Sequence, residues 1–312
     1  MGWQDCSVSF WSEKTPLNKQ FHTPNMGILA HEGMKFTNAY AAPLCTPTRA
    51  SILSGMNPAH LGITNWISPT KKNNYDAADD LFLPLAWNIN GLSPQPGIER
   101  TALATPFPSL LKAAGYFTIH VGKSYWVSAG TPGANPQNMG FMVNISCHAA
   151  GHPQSYYATD NFGNIPGKVS VQAVLDLEEY FGSDTFLTEA LTLEALKAMD
   201  APIRNKQLFF LHMSHYSVHS PIMADYRFFQ KYLDARLDPI EAIYASLIEG
   251  MDKSLGELMN YLKEKKLDQI TVKIFMSNKG GLSLSVPAYN RLTDLVTFIN
   301  IVKIVLYIDL GL

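Results

Sequence analysis

The stretch PLCTPTRASILSG, from Pro43 to Gly55, sets Cys45 at the mouth of a run of helix formers, with Pro47 and Arg49 close behind it. A free cysteine is most often a small buried hydrophobe. Here three features argue for chemistry instead. A helix N-terminus offers unpaired amides and the positive end of a dipole, which suit an anion. Pro47 fits a first turn, Thr46 and Thr48 can cap it, and Arg49 lies one turn on from Cys45, where its fork could hold a tetrahedral oxyanion. The combination is an oxyanion cradle with sulfur at its centre. No second cysteine or activating histidine lies nearby in sequence to make the thiol itself the reagent.

The elements that must position this segment alternate helix and strand. Thr23 to Gly33 reads as a short helix and KFTNAYAAP as a strand entering the cysteine segment. PFPSLLKAAG is a helix with prolines at its start and glycine at its end, and YFTIHVG is the strand after it. FLTEALTLEALKAMD is amphipathic, QLFFLHMS is a buried strand, Asp238 to Lys266 carries a long helical stripe, and ITVKIFMS is a further strand. Such alternation implies parallel strands with helical crossovers, hence an α/β fold with ligands beyond the carboxyl ends of the strands. Cys45, Lys123, His215, His219 and Asn278 all follow expected strand ends. Residues 65–105 and 128–182 are rich in Gly, Pro and Asn and read as long loops over that face.

Composition narrows the classes. The chain has 312 residues, 46% of them hydrophobic, enough for a large core. A net charge of −2 without a basic block argues against nucleic acid as a partner. Three cysteines (Cys6, Cys45, Cys147) do not suggest a disulfide framework. The opening MGWQDCSVSFWSEKTP lacks the basic start and apolar stretch of an export signal. The apolar stretch LVTFINIVKIVLYIDLGL is interrupted by Asn300, Lys303 and Asp309, and reads as a buried strand or helix rather than a membrane anchor. There is no internal repeat.

Cys-Thr-Pro-Thr-Arg followed by Ala50 to Gly55 resembles the signature of the type I sulfatases, a branch of the alkaline phosphatase superfamily. MGWQD, FHTPNMGILAHEGMKFTNAYA, GYFTIHVGKSYW, FFLHMSHYSVHSPI and IFMSNKGG are similar to further family segments and stand in family order. The resemblance implies a mixed, mostly parallel central sheet flanked by helices, with residues 1–285 as a catalytic domain of that type and 286–312 as a divergent apolar tail. It implies that Cys45 is oxidised to formylglycine by a sulfatase-maturing enzyme. The hydrated aldehyde attacks sulfur through one oxygen and expels the alcohol, and its second hydroxyl then releases sulfate. By position Arg49 would support the nucleophile, Lys123 would bind a sulfate oxygen or the hydrate, and His219 would contact the ester and could protonate the leaving oxygen. His215 is expected to be a packed, hydrogen-bonded histidine. The substrate class implied is a small sulfated carbohydrate; bacterial members are commonly exported.

The departures concern the metal. The family's divalent cation, usually calcium, is held by an Asp-Asp pair that would precede Met1, by an Asp-Asn pair, and by the modified cysteine. The second pair reads Asn278-Lys279 here, leaving Cys45 and Asn278 as a degraded metal site. An amide is a feebler ligand than a carboxylate, and an ammonium repels a dication. The histidine expected after Lys123 is Tyr125, and Asp5, past the lost pair, is expected to cap a turn. The expectation is therefore an incomplete domain, lacking the family's first strand and C-terminal subdomain, with calcium weak or lost and activity impaired. Two alternatives stand beside it: a catalytically inactive sulfatase fragment, and a phosphodiesterase or phosphonate hydrolase of the same superfamily.

Overall fold

The computed structural model describes residues 5–8, 16–36, 39–67, 87–147, 149–168, 170–277 and 300–303. In chain order the first elements are helix α1 (Pro16–Gln20), helix α2 (Pro24–Glu32), strand β1 (Met34–Lys35), helix α3 (Cys45–Ser54) and helix α4 (Pro58–Leu61). Strands β2 (Gly91–Ser93) and β3 (Thr101–Leu103), helix α5 (Phe107–Ala113) and strands β4 (Phe117–Gly122) and β5 (Val143–Ile145) follow. Helix α6 (Leu187–Arg204), strand β6 (Phe209–Ser214), helices α7 (Tyr226–Asp234) and α8 (Pro239–Glu264), and strands β7 (Lys273–Met276) and β8 (Asn300–Lys303) complete the order. The elements group into two compact units, Leu44–Tyr216 and Met1–Pro43 with Ser217–Leu312.

The Leu44–Tyr216 unit is built on a parallel sheet in the order β5-β4-β6, with β4 in register with β6 along its whole length, from Phe117↔Phe209 to Gly122↔Ser214. Parallel strands demand a crossover, and α6 supplies it between β5 and β6. Its core gathers Leu53, Leu61, Ile63, Leu92, Trp126, Met139 and Phe141. A second parallel pair, β2 with β3, lies within residues 65–105, and β5 lies within 128–182. Both stretches were expected to be loops. These strands are three residues long, too short for alternation to show in sequence. The strand expected over KFTNAYAAP is confined to Lys35, the last residue of β1, and a single bridge at Tyr40; Phe36, Ala39 and residues 41–43 are otherwise irregular, and small residues and Pro43 there give an edge little to pair.

In the other unit α2, α7 and α8 enclose Phe21, Met26, Leu29, Tyr244, Ile248 and Met251, and β1-β8-β7 form an antiparallel sheet. β8 is the described part of the apolar tail and is a strand; Leu295–Ile299 and the residues after Lys303 lie outside the described residues. Among the described residues no helix is long and apolar enough to cross a membrane. Asp5 is buried and accepts the Tyr244 hydroxyl at 2.9 Å, anchoring the N-terminal segment to α8 beyond the turn-capping role expected of it.

Helix α2 has Thr23 at its N-cap without a side-chain capping bond. Its first amides turn instead to Asp252 of α8, which accepts from Asn25 N at 3.0 Å, Met26 N at 2.7 Å and Asn25 Nδ2 at 2.8 Å. A carboxylate at a helix N-terminus satisfies orphan donors and opposes the dipole. Replacing Asp252 by alanine is therefore expected to lower the unfolding free energy by about 2 kcal/mol. Urea denaturation checks this, and an unchanged midpoint would show that α2 finds its acceptors elsewhere.

Candidate functional site

Helix α3 begins at Cys45 itself, after an extended Leu44, and ends at Gly55 in the left-handed conformation. The two threonines expected to cap it lie inside its first turn and do other things. Thr46 Oγ1 accepts from Ile67 N at 3.3 Å, and Thr48 Oγ1 donates back to Leu44 O at 3.2 Å. The N-cap residue Leu44 makes no side-chain capping bond, and the positive end of the helix lies at the buried Cys45 thiol.

Strand β4 delivers Lys123 to the same place. Gly122, the last residue of β4, has φ +93°, and a Cβ on it would lie 2.1 Å from Ser214 O. Only glycine takes this turn next to β6, and Lys123 N closes it by donating to Ser214 O at 2.8 Å. The Lys123 side chain is 2% exposed. Its ammonium lies 3.9 Å from Cys45 Sγ, donates to Gly151 O, and stands 4.9 Å from the ring centroid of Tyr125. Tyr125, where a histidine was expected, donates its hydroxyl to Ile67 O at 2.7 Å. Burial holds that phenol well above its usual range, so it is a neutral donor and a π face for the ammonium.

Arg49 fastens these parts together. Its Nη1 donates to Lys123 O at 2.9 Å and to Ser214 Oγ at 2.6 Å, which ties α3 to the ends of β4 and β6. Burial works against its charge, and the strongest opposing influence is Cys45. A guanidinium and an ammonium thus converge around one sulfur at a helix N-terminus, an arrangement that favours an anion at that point. Cys147 differs: burial pushes its thiol up to about 12, so it stays protonated at neutral pH.

Of the residues singled out in sequence, Cys45, Arg49 and Lys123 meet in the Leu44–Tyr216 unit. His219 belongs to the other unit, where its Nδ1 lies 3.2 Å from Ser220 Oγ. Asn278 lies outside the described residues. His215 is packed, but its enclosed Nδ1 lacks the hydrogen bond expected of it. Sequence reasoning missed Ser214 and Gly151, which reach the site from distant segments, and also His120 and His212. Those two carried a signal: each is the fourth residue of an apolar strand.

Burial lowers the pKa of all three of these histidines, His120 well below its ordinary 6.5 and both His212 and His215 to about 4. In the unfolded chain they would bind protons near pH 6.5, whereas the folded chain refuses them until lower pH. Their stabilising effect is complete above about pH 6.5 and is lost as pH falls towards 4. Imidazole proton resonances of His212 and His215 are expected to titrate near pH 4. Titration near 6.5 would contradict the packing.

Comparisons with known proteins bear on the family and the fold. The sulfatase family model matches residues 7–284. The N-acetylgalactosamine-6-sulfatase of Mus musculus is 27% identical over 299 residues, covering 92% of this chain and 50% of that protein. The crystal structure of Ps i-CgsB in complex with k-i-k-neocarrahexaose superposes with a TM-score of 0.63 at 22% identity, covering 86% of this chain and 55% of that one. The PsFucS1 sulfatase from Pseudoalteromonas sp. gives 0.60 at 20% identity, covering 90% and 53%. The two structures share the fold, and the chain spans about half the length of the relatives it matches. With the family model extending from the first described segment past the strand β7, the chain belongs to the type I sulfatase family.

Proposed function

We propose that the site at Cys45 hydrolyses sulfate esters, on a carbohydrate, with Cys45 converted to formylglycine. The observation that carries this reading is the Lys123 ammonium 3.9 Å from Cys45 Sγ at the N-terminus of α3. Sγ marks the place of the oxygens that the aldehyde's hydrate would carry. That hydrate supplies a nucleophile able to release sulfate by collapse. The rest falls to the chain's own groups. Lys123 and the first amides of α3 hold a sulfate oxygen and gain strength as charge builds on it. Arg49, fixed by Lys123 O and Ser214 Oγ, supports the nucleophile's position. A carbohydrate substrate is supported by the relatives, one named for a sulfated amino sugar and one crystallised with an oligosaccharide.

The test is to produce the full chain beside a sulfatase-maturing enzyme, then measure the mass of the Pro43–Arg49 peptide and the hydrolysis of an aryl sulfate. Conversion of Cys45 with turnover that falls by about 10²–10³-fold in Lys123→Ala is expected. An unmodified cysteine, or turnover unchanged in Cys45→Ala, would overturn the reading. Hydrolysis of phosphate diesters in preference to sulfates would favour the phosphodiesterase alternative.

The family's calcium fits the described donors badly. Among the described residues no group of three His, Cys, Asp or Glu side chains could hold a metal ion. The side chains that converge on Cys45 are cationic, Lys123 by contact and Arg49 by its field. Calcium takes several oxygen ligands and prefers carboxylates. We therefore expect calorimetric titration of the purified chain with calcium to show no micromolar binding. Micromolar affinity would refute this, and binding gained only when an upstream Asp-Asp pair is supplied together with Asn278→Asp and Lys279→Asn would support it.

A further inference from the structure

Three polar side chains form one row across the parallel sheet of the Leu44–Tyr216 unit. The register pairs His120 of β4 with Asn144 of β5 on one side and with His212 of β6 on the other. Residues paired in a parallel sheet project from the same face. The row is enclosed by aromatic rings: Trp126 and Phe141 lie edge-on to His120 at 5.2 and 5.1 Å, and Phe141 and Phe210 stack on His212 at 5.9 and 6.3 Å. His120 is completely buried.

Both nitrogens of His120, Nδ1 of His212 and Oδ1 of Asn144 are enclosed without a hydrogen bond of good geometry, although the Asn144 side chain and the Lys123 backbone stand close enough to His120 to act on it weakly. Each such group costs about 1–3 kcal/mol, and buried polar atoms are rarely left so. A fifth enclosed atom without a partner is Nε of Arg49. The five are complementary. Arg49 Nε–H is a donor, the Asn144 oxygen an acceptor, and each neutral imidazole carries one donor and one acceptor. Arg49 is also the charged side chain that acts on both imidazoles, and its Nη1 is held at Ser214, two residues beyond His212.

We propose that His120 and His212 are positioning residues for Arg49: as neutral imidazoles they and Asn144 accept its Nε–H through enclosed water, which fixes the guanidinium fork on Lys123 O and Ser214 Oγ. A buried water needs two to four polar partners, and this row provides them. Neutral acceptors suit the task better than a carboxylate, because they orient the guanidinium without cancelling the charge that faces Cys45. The device has an acid limit. A protonated imidazole has no lone pair to offer and repels Arg49. The groups facing the pair are Arg49 from α3, Asn144 from β5, the Lys123 backbone and the aromatic rings, and none of them is an anion.

The inference rests on the site described above but is tested without substrate. The Nε–H resonance of Arg49 is followed in the ¹⁵N-labelled full chain, assigned by its loss in Arg49→Lys, and its exchange is compared with that of free arginine at each pH. Strong protection at neutral pH, lost as the imidazoles titrate, is expected. His120→Gln keeps an acceptor that cannot titrate, so protection should persist to lower pH. His120→Phe removes the acceptor and should reduce protection about tenfold or more. Equal protection in the phenylalanine variant, or protection that survives imidazole protonation, would overturn the proposal. If that variant does not fold, the wild-type titration and His120→Gln decide alone. Should Arg49 respond as described while no sulfate ester is hydrolysed, the inference stands and the proposed function falls.

Discussion

The Leu44–Tyr216 unit is organised around a single guanidinium held at the edge of its interior. Removing such a charge from water is expensive, and the expense is offset only when its hydrogen bonds are placed well. Arg49 meets that demand with acceptors on the ends of two neighbouring strands, Lys123 O after β4 and Ser214 Oγ on β6. One side chain thereby sets the height of α3 against the sheet, and so the position of Cys45. The Lys123 ammonium then stands close to the same sulfur. An anionic ligand at this point would be favoured by both positive charges.

The second unit uses charge in the opposite sense. Its buried carboxylates are already spoken for. Asp252 serves the first amides of α2, Asp5 takes the Tyr244 hydroxyl, and Asp225 both caps α7 and grips Arg227 at 2.9 and 2.7 Å. These are fastenings between segments far apart in sequence, and each oxygen so engaged is lost to any mobile cation. Cationic groups around Cys45 and engaged carboxylates elsewhere give the two units opposite uses of buried charge.

What could be read from sequence was what is local. The 3.6-residue stripes of α6 and α8, the prolines that open α5 and α8, and the glycine that ends α3 lie within a few residues of one another. The Cys45–Arg49 spacing is of the same kind, because one helical turn is a covalent distance. Strands β2, β3 and β5 escaped notice since three residues carry no usable period. Ser214 and Gly151 escaped for another reason: nothing near them in the chain announces that they will meet Arg49 and Lys123. The row of His120, His212 and Asn144 exists only through strand register, and register is a property of pairing, not of either strand.

Gly122 adds a genetic consequence. Its backbone angle and the nearness of Ser214 O close the position to any side chain, and it directly precedes the lysine that reaches Cys45. Every amino-acid change reachable from its codon is therefore an injury at the site, with no tolerated intermediate between. Exposed positions on α6 or α8 can wander through many alternatives over time. Gly122 has a single allowed letter, so the lysine's placement can be abolished in one step but cannot be gradually retuned.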